Sequence, residues 1–252
     1  MMGDEPDTSA VAERGLLGDR SYALQDVETG RIVSAKNPKK FGRLLEFRAT
    51  FVEPPVPGPS PTPVKFFFPD GALVRSDDPE VEAVLSEEVG TPVRLLTSAS
   101  EKQSYDEYWP DIEGRRRRGV VTTESMPPGS FFDSSPVHII TTATLARLGD
   151  FHPSGRFEPR RFRPNLVVET GPDTTGFVEN SWLGRTLRIG GATLRVTKLC
   201  SRCVMTTLPQ GGLPQDIGIL RTAVVENSAH VGAYATVGQS GTISKRDSVW
   251  LE

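Results

Sequence analysis

The sequence predicts a mainly β fold with a few helices, an α+β protein whose strands pack in a barrel-like way. Three observations lead to this prediction. Short apolar or alternating runs recur at close spacing along the 252 residues, turns containing Gly and Pro separate them, and only two segments carry a helical pattern. A chain of this length is expected to form one elaborate domain or two small ones.

The front of the chain is predicted to contain two hairpins with a Pro-rich loop between them. GDRSYALQDVETGRIVSAKN alternates on either side of Gly30, which can supply the positive φ that a hairpin turn needs. LLEFRATFVE continues as a third strand, and residues 54–63 hold too many prolines to donate ladder hydrogen bonds, so we expect a stiff surface loop there. VKFFFPDGALV indicates the second hairpin, turning at residues 69–71.

Residues 76–130 are predicted to form a helix followed by a long loop. The helix covers SDDPEVEAVLSEEVG, with Ser76 or Asp77 as its N-cap and Gly90 at its end. Residues 98–130 are polar and contain Pro and Gly, which is typical of a loop. This loop carries four adjacent arginines at residues 115–118. They could clamp an anionic ligand, but we interpret them as a solvated charge run and assign them no role.

The second half is predicted to hold most of the remaining strands. SSPVHIITTATLARLG indicates a strand that runs into a short helix capped by Thr141 or Thr142. The Leu-Val-Val run at residues 166–168 indicates a buried strand. SWLGRTLRIGGATLRVTKL indicates a strand pair that turns at Gly190 and Gly191, and HVGAYATV and SVWLE complete the β-rich set.

The composition disfavours several kinds of partner. Twenty-nine Lys and Arg against 32 Asp and Glu give a formal charge of −3, so no global field would attract nucleic acid or an anionic membrane. No apolar run approaches the roughly 20 residues of a membrane span, and no signal-peptide pattern is seen. We therefore expect a cytoplasmic protein with no nucleic-acid or membrane partner, a setting in which a structural disulfide is disfavoured.

Both cysteines of the chain, Cys200 and Cys203, lie in KLCSRCVMTT, and four interpretations of this pair are open. A thioredoxin-like pair would place its first thiol at a helix N-terminus, whereas the β-branched residues on both sides favour a strand. A structural zinc site would need two further ligands from His138, His152 and His230, which lack the spacing of a zinc finger. We expect His138 and His230 to be ordinary strand residues.

The other two interpretations need neither a second protein ligand nor thiol exchange. Cys200 and Cys203 could both be buried and inert, because cysteine often behaves as a small hydrophobic residue. Alternatively, one thiolate could bind a soft metal or accept sulfur, with the positive charge of Arg202 favouring the ionised form. Spacing alone favours inert cysteines.

Several blocks of the sequence resemble a known family and favour the metal or sulfur interpretation. RFRPNLVVE, SWLGRTLRIGGATLRVTKLCSRCVMTTLPQ, VGAYATV and GTISKRDSVWL resemble successive parts of the MOSC domain, named for the C-terminal part of molybdenum cofactor sulfurase. GLLGDRSYALQDVETGRIVSAKNPKKFGRLL is similar to the β-barrel domain that precedes MOSC in bacterial YcbX-like proteins and in the mitochondrial amidoxime-reducing component. The resemblance implies an N-terminal barrel over residues 1–97, packed on a barrel-like MOSC domain over residues 98–252.

The resemblance also implies a molybdenum-pterin cofactor. In family members with C-x-R-C the second cysteine binds the metal, which makes Cys203 the expected metal ligand and catalytic residue and Cys200 a non-ligating position. Further cofactor contacts are expected at Arg20, Ser134, Ser135, Arg163, Asn165, Ser201 and Tyr234.

These residue types suit such a cofactor. A thiolate is a soft donor, arginine binds phosphate oxygens bidentately, serine hydroxyls can complete a phosphate cradle, and an amide such as that of Asn165 can donate to and accept from a pterin edge. For each polar side chain the alternative role is a surface or interdomain salt bridge.

By this resemblance the protein is expected to be an oxidoreductase that removes oxygen from small N-hydroxylated compounds. No Gly-rich dinucleotide motif and no spare cysteines are present, so electrons are expected from a separate flavin or iron–sulfur reductase. One alternative is a module without turnover, which carries a persulfide on Cys203 or binds and delivers the pterin cofactor. A third interpretation is thiol–disulfide exchange through both cysteines.

One part of the family pattern is missing at the start of the chain. Family members begin with a strand that ends in a Y-P-V-K-S-like segment, whose lysine and serine help to hold the cofactor phosphate. Here the chain begins with MMGDEPDTSAVAERGLLGDR, where that segment would already have ended. We hypothesise a start codon assigned too late; a shortened chain would instead have an unpaired barrel edge and two fewer phosphate contacts.

Overall fold

The computed structural model describes all 252 residues. The strands are, in chain order, β1 (Thr8–Ala12), β2 (Gly15–Leu16), β3 (Ala23–Asp26), β4 (Arg48–Phe51), β5 (Val64–Phe67), β6 (Leu73–Arg75), β7 (Val93–Leu96), β8 (Ser104–Trp109), β9 (Val120–Ser125), β10 (Val137–Thr141), β11 (Leu166–Val168), β12 (Thr186–Ile189), β13 (Ala192–Ser201), β14 (His230–Gln239), β15 (Gly241–Ser244) and β16 (Val249–Leu251). The α-helices are α1 (Pro38–Phe41), α2 (Val81–Val89), α3 (Thr142–Phe151), α4 (Pro159–Phe162) and α5 (Gly218–Asn227). Short 3₁₀ helices cover Gly42–Leu45, Val178–Trp182 and Val204–Thr207. The predicted class, mainly β with a few helices, is confirmed.

The chain folds into two compact units, each built from separated stretches of sequence. Unit 1 comprises Met1–Glu5, Gly18–Trp109 and Gly119–Ser134. Unit 2 comprises Pro6–Leu17, Pro110–Arg118 and Ser135–Glu252. The domain boundary expected between residues 97 and 98, and the packing of one barrel on another, stay predictions.

Three small antiparallel sheets build unit 1: β3 with β7, β4 with β5 and β6, and β8 with β9. Phe47 is fully buried in its core. The turn between β5 and β6 lies at residues 69–71 as predicted, with Gly71 at a φ of 90°. The turn at Gly30 also forms, with a φ of 68°, but the strand expected after it is reduced to isolated bridges of Ile32 with Gln25 and with Tyr105.

Helix α2 begins later than predicted. Neither expected cap serves it: the Asp77 carboxylate lies 2.7 Å from the Arg75 guanidinium, and Ser76 accepts a hydrogen bond from a strand amide. The N-cap is Glu80. At the other end Gly90 closes the helix as predicted, in a left-handed conformation with a φ of 79°. Because the Asp77 carboxylate is paired with Arg75, it does not cap the helix.

The prediction of one continuous loop over residues 98–130 is wrong for residues 104–109 and 120–125, which are strands. Strands β8 and β9 form an antiparallel hairpin within this segment. Alternation along β8 points Tyr105 and Glu107 inward, and both are buried. Because the inward position 107 holds a carboxylate, the sequence does not show the apolar alternation that is typical of a strand. It is tolerated because Lys36 Nζ lies 3.3 Å from Glu107 Oε2.

A six-stranded sheet in the order β11-β10-β14-β13-β12-β16 is the centre of unit 2. Its pairs are antiparallel except β10 with β11, which is parallel. The register of β13 on β14 shifts at three places. Such bulges bend and twist strands, so they curl the sheet. Inward side chains of this sheet form the main core, including Val137, Ile139, Leu187, Leu194 and Val196. Strands β1, β2 and β15 form a separate three-stranded sheet of the same unit.

Local signals in unit 2 are confirmed where they were strongest. Gly190, between β12 and β13, has a φ of 52°, and a Cβ there would lie 2.6 Å from the carbonyl oxygen of Thr242, so only glycine fits. Thr141 is the N-cap of α3, and its side chain accepts a hydrogen bond of 3.1 Å from the backbone N–H of Thr144. The turn and the cap therefore fix β13 and α3 where the sequence predicts them.

Two features of unit 2 depart from the prediction. Strand β11 is not buried: it lies at the edge of the sheet, where Val167 is 47% exposed. Helix α5 is not anticipated by the sequence pattern; it packs with α3 through Ile219 and Leu148. None of the five helices has the length and apolar character that a membrane span requires.

Candidate functional site

Strand β13 ends in the two cysteines and places them in different environments. Alternation along the strand turns Cys200 into the core, where it is fully buried, and turns Ser201 outward. Cys203 follows the strand, is half-buried, and is the N-cap of the 3₁₀ helix Val204–Thr207. The two cysteines do not form a disulfide. Cys203 is therefore the more accessible thiol.

A buried arginine holds the chain that follows Cys203. Arg161 is fully buried. Its guanidinium donates hydrogen bonds to the carbonyl oxygens of Thr206, Leu208 and Pro214, at 3.3, 3.4 and 2.8 Å. Burial lowers the pKa of Arg161, and the aligned carbonyl dipoles compensate part of the cost of burying its charge. The loop after Cys203 is thus fixed from within the protein.

The predicted site residue Arg163 lies two positions after Arg161, at the C-terminal end of helix α4. It ends helix α4 in a left-handed conformation, with a φ of 53°, and its backbone N–H donates to the Pro159 carbonyl at 3.0 Å. Such a φ is uncommon for a residue other than glycine. The arginines of RRFRPN look equivalent in the sequence, so the sequence alone does not single out Arg161. The short helix decides which of them points inward.

Arg202, between the two cysteines, is held through both its side chain and its backbone. The guanidinium donates to Cys200 Sγ at 2.6 Å and to the Phe162 carbonyl at 2.7 Å, and it lies over the Phe162 ring. The backbone N–H of Arg202 donates to the Ala229 carbonyl at 2.8 Å, and its own carbonyl accepts from Arg115 Nη1 at 2.8 Å. The first member of the arginine run therefore has a structural role that the sequence does not reveal.

The surroundings of Cys200 are charged rather than inert. Burial raises the pKa of the Cys200 thiol, but the positive charge of Arg202, with contributions from His138 and Tyr234, outweighs burial and lowers the pKa to about 6. His138 is buried in β10, where its Nε2 donates to the Val231 carbonyl at 3.1 Å. It is a strand residue, as expected, but it also belongs to the environment of this thiol.

Two predicted site residues, Tyr234 and Asn165, meet at His138. Tyr234 lies opposite His138 in the β10–β14 pair, with ring centroids 5.6 Å apart, and Lys198 Nζ lies 5.6 Å from the Tyr234 ring centroid. Asn165 continues the backbone ladder of β10: its Oδ1 accepts from the His138 N–H, and its own N–H donates to the His138 carbonyl, both at 2.8 Å. The RFRPN, CSRC and VGAYATV segments therefore come together in unit 2.

The remaining predicted residues of unit 2 are two serines. Ser135 is buried, and its hydroxyl donates to the Ala235 carbonyl at 3.3 Å. Ser201 is exposed on β13, opposite His230 of β14. Ser135 is thus tied to the sheet, whereas Ser201 faces outward beside the cysteine motif.

Arg20 and Ser134, the other predicted cofactor contacts, belong to unit 1. Arg20 has a φ of 51°, pairs with Asp19 at 2.6 Å, and lies over the ring of Phe132 at 5.3 Å from its centroid. Ser134 is half-buried at the end of this unit. Within unit 1 the Arg20 guanidinium is therefore held by an ion pair and a ring.

The donor set indicates what kind of metal centre these residues could hold. No three His, Cys, Asp or Glu side chains come together to bind a metal ion by themselves. The accessible soft donor is Cys203, which is half-buried. The residue before it, Arg202, has a buried Nε without a hydrogen-bond partner. A metal that arrives with the sulfur donors of a pterin needs one soft protein ligand and cationic partners for its phosphate. The residues present fit that group.

Comparison with known proteins identifies the second half of the chain. Residues 127–250 match the family model of the MOSC domain, and this part of the chain is a MOSC domain, as the resemblance implied. The chain is 30% identical over 135 residues to mitochondrial amidoxime-reducing component 1 of Homo sapiens, covering 48% of this chain and 38% of that protein. It is 30% identical over 131 residues to mitochondrial amidoxime reducing component 2 of Bos taurus, covering 47% and 37%. The matches thus span less than half of these relatives.

Two bacterial proteins of solved structure match part of the chain at low TM-scores. The YuaD protein from Bacillus subtilis has a TM-score of 0.39 and 14% identity, covering 63% of this chain and 86% of that chain. YiiM from Geobacillus stearothermophilus has a TM-score of 0.36 and 14% identity, covering 61% and 73%.

Proposed function

We propose that the protein is a molybdenum cofactor-dependent oxidoreductase that reduces small N-hydroxylated compounds. The MOSC domain at residues 127–250 and the names of the curated relatives, amidoxime-reducing components, support this class of activity. The observation that carries the proposal is the contrast between the two thiols. Cys203 is half-buried at the end of a strand and in a loop held by a buried arginine, whereas Cys200 is sealed in the core.

In this proposal each predicted residue of unit 2 has a stated task. Cys203 supplies a thiolate to the metal, which requires the loss of its proton. Within unit 2, the Arg163 guanidinium and the serine hydroxyls bind the phosphate, and the remaining polar side chains bind the pterin; these residues are Ser135, Arg163, Asn165, Ser201 and Tyr234. Because Asn165 Oδ1 already accepts from the backbone of His138, a contact to the pterin would use its amide nitrogen.

The bound cofactor would supply a two-electron centre with an open coordination position for the N–O group of the substrate. The overall reaction consumes two electrons and two protons, breaks the N–O bond and releases water. The chain itself has two cysteines, of which one is fully buried, too few for an iron–sulfur cluster held by four thiolates. We therefore propose a separate flavin or iron–sulfur reductase as the electron donor.

The proposal is tested by metal content and turnover in the same preparations. Protein from a host that makes the cofactor is analysed for molybdenum, and its anaerobic reduction of benzamidoxime is measured with reduced viologen as the electron donor. We expect about one molybdenum per chain and a loss of both metal and activity in Cys203→Ser. Met205→Leu is the matched control, because it removes a neighbouring half-buried sulfur while leaving the thiol in place.

Two outcomes would oppose this assignment. Equal activity of Cys203→Ser and wild type would remove the thiolate from the mechanism. Labile sulfur on Cys203 without molybdenum would favour the persulfide carrier. Thiol–disulfide exchange through both cysteines is disfavoured, because the fully buried Cys200 offers no surface to an exchange partner.

A further inference from the structure

Arg202 brings a permanent positive charge into the core of unit 2. The residue is only 9% exposed, and its guanidinium contacts Cys200 Sγ, the Phe162 carbonyl and the face of the Phe162 ring. Its Nε is buried without a hydrogen-bond partner, and no Asp or Glu forms a salt bridge with it. A guanidinium is not deprotonated in proteins, and Arg202 has one carbonyl partner where Arg161 has several, so an anionic neighbour would stabilise its charge.

Cys200 is the buried group placed to balance it. Its sulfur accepts the hydrogen bond from Arg202 and is faced by His138 of β10 and Tyr234 of β14. Lys198, on the same strand as Cys200, lies over the Tyr234 ring. Arginine, histidine and tyrosine are therefore the groups that act on this thiol, and no carboxylate is among them. A neutral S–H would leave the charge of Arg202 without a counter-ion.

We propose that Cys200 is a thiolate in the folded protein, that it is the counter-ion of Arg202, and that this buried ion pair positions the peptide leading into Cys203. The ion pair goes beyond the proposed function and does not depend on it. One point does rest on the proposed function: that Cys203, the residue positioned by this ion pair, is a metal ligand.

The electrostatic effects at the two partners agree in direction. For Cys200, burial alone would raise the pKa, and the net lowering to about 6 shows that the surrounding cations prevail. For Arg202, burial acts to lower the pKa, but the negative charge of Cys200, with smaller effects of Tyr234 and Cys203, raises it overall. Each partner therefore stabilises the charged form of the other.

The geometry explains how the pair acts on Cys203. The side chain of Arg202 is tied to Cys200 and Phe162, and its backbone N–H is tied to Ala229. The next residue in the chain is Cys203. If the ion pair is lost, one of these attachments of the Arg202 side chain is lost with it, and the peptide entering Cys203 gains freedom. Cys200 is thus a positioning residue rather than a ligand.

The ionisation of Cys200 can be observed directly because the chain has only two cysteines. Alkylating native wild-type protein with iodoacetamide should modify the half-buried Cys203 and spare the fully buried Cys200. The Raman S–H stretching band then reports Cys200 alone. We expect no band at pH 7.5 in the folded protein, and a band that appears as the pH falls through about 6. Unfolding the same sample at pH 7.5 should restore the band, since a free thiol has a pKa of about 8.5. An S–H band in folded protein at pH 7.5 would overturn the proposal.

The positioning effect is tested by the rate at which Cys203 is alkylated in Cys200 variants. Cys200→Ser removes the counter-ion, whereas Cys200→Asp has a side chain of similar size and restores a negative charge. We expect a several-fold change in the rate for Cys200→Ser and a rate closer to wild type for Cys200→Asp. Equal behaviour of the two variants would reject positioning by charge. Neither measurement uses molybdenum or substrate, so its failure is distinguishable from failure of the proposed function, and the Raman experiment needs no variant to fold.

Discussion

Arg115 Nη1 donates a hydrogen bond of 2.8 Å to the carbonyl oxygen of Arg202. This bond joins a charge-rich segment to the peptide directly before Cys203. The sequence interpretation of residues 115–118 as a solvated charge run therefore does not hold for Arg115. Arg115 is half-buried and has a structural partner, whereas the exposed Arg118 pairs with Asp111 at 2.5 Å.

Replacing Arg115 should cost stability, whereas replacing the next arginine should not. Arg115→Ala removes a charged donor from a carbonyl group, and we expect the free energy of unfolding to fall by about 1 kcal/mol. Arg116 is exposed, so Arg116→Ala is the matched control and should change it by less than about 0.5 kcal/mol. Urea unfolding measures both. Equal effects would mean that the hydrogen bond to Arg202 contributes nothing specific.

Arg161 should be among the most sensitive positions in unit 2. Arg161→Met keeps an unbranched side chain but leaves several carbonyl oxygens without their donor, and we expect a loss of about 3 kcal/mol. Arg160→Met, on the same short helix but exposed, should lose much less. Hydrogen exchange should also become faster at residues 206–214 in the Arg161 variant. Unchanged protection there would contradict the role assigned to this side chain.

The elements that the sequence predicts correctly are those set by a local rule. Gly190 is required by a positive φ and by a close carbonyl, Thr141 caps a helix through its own side chain, and Gly90 ends a helix in the left-handed region. Each of these depends on residues within a few positions along the chain. The strand pairs and helices that they delimit could therefore be predicted without tertiary information.

The elements that the sequence misses depend on distant partners. Strand β8 carries the buried Glu107, which becomes acceptable only through Lys36, 71 residues earlier in the chain. The inward direction of Arg161 depends on carbonyl oxygens more than 40 residues later. In the candidate site, too, the feature set by a local motif is predictable and the features set by distant partners are not. The motif identifies Cys203, whereas the support of its loop by Arg161 and the charge on Cys200 emerge only when the strands are assembled.

The stability contributed by Cys200 should depend on pH in a defined direction. Its pKa in the folded protein, about 6, is lower than that of an unfolded thiol, about 8.5. The contribution is therefore fully present above the unfolded pKa and is lost as the pH falls through the folded one. Relative to Cys200→Ser, the unfolding free energy of wild type should rise between pH 6 and 8.5, by at most about 1 kcal/mol per unit. Urea unfolding at several pH values measures the difference, and a flat difference would show that Cys200 stays protonated.

Unit 1 contains a largely buried cation, Lys36, whose side chain is 11% exposed and lies among two carboxylates and a hydroxyl. Its Nζ lies 2.8 Å from Asp133 Oδ2, 3.3 Å from Glu107 Oε2 and 3.0 Å from the Tyr105 hydroxyl. Burial raises the pKa of Tyr105 to about 12, although the charge of Lys36 acts in the opposite direction. The environment is therefore dry enough for an unpaired charge to be costly.

Removing this cation should destabilise the protein mainly through the carboxylate it leaves behind. In Lys36→Met the 7% exposed Glu107 side chain loses its cationic partner, and we expect a loss of about 3 kcal/mol. Glu107→Gln made in the same protein removes the uncompensated charge, so the double variant should be more stable than Lys36→Met alone. The exposed Lys40→Met is the matched control and should be near neutral. A double-mutant cycle by urea unfolding measures the coupling. Additive losses would show that Lys36 and Glu107 act independently and that burial of β8 does not depend on their pairing.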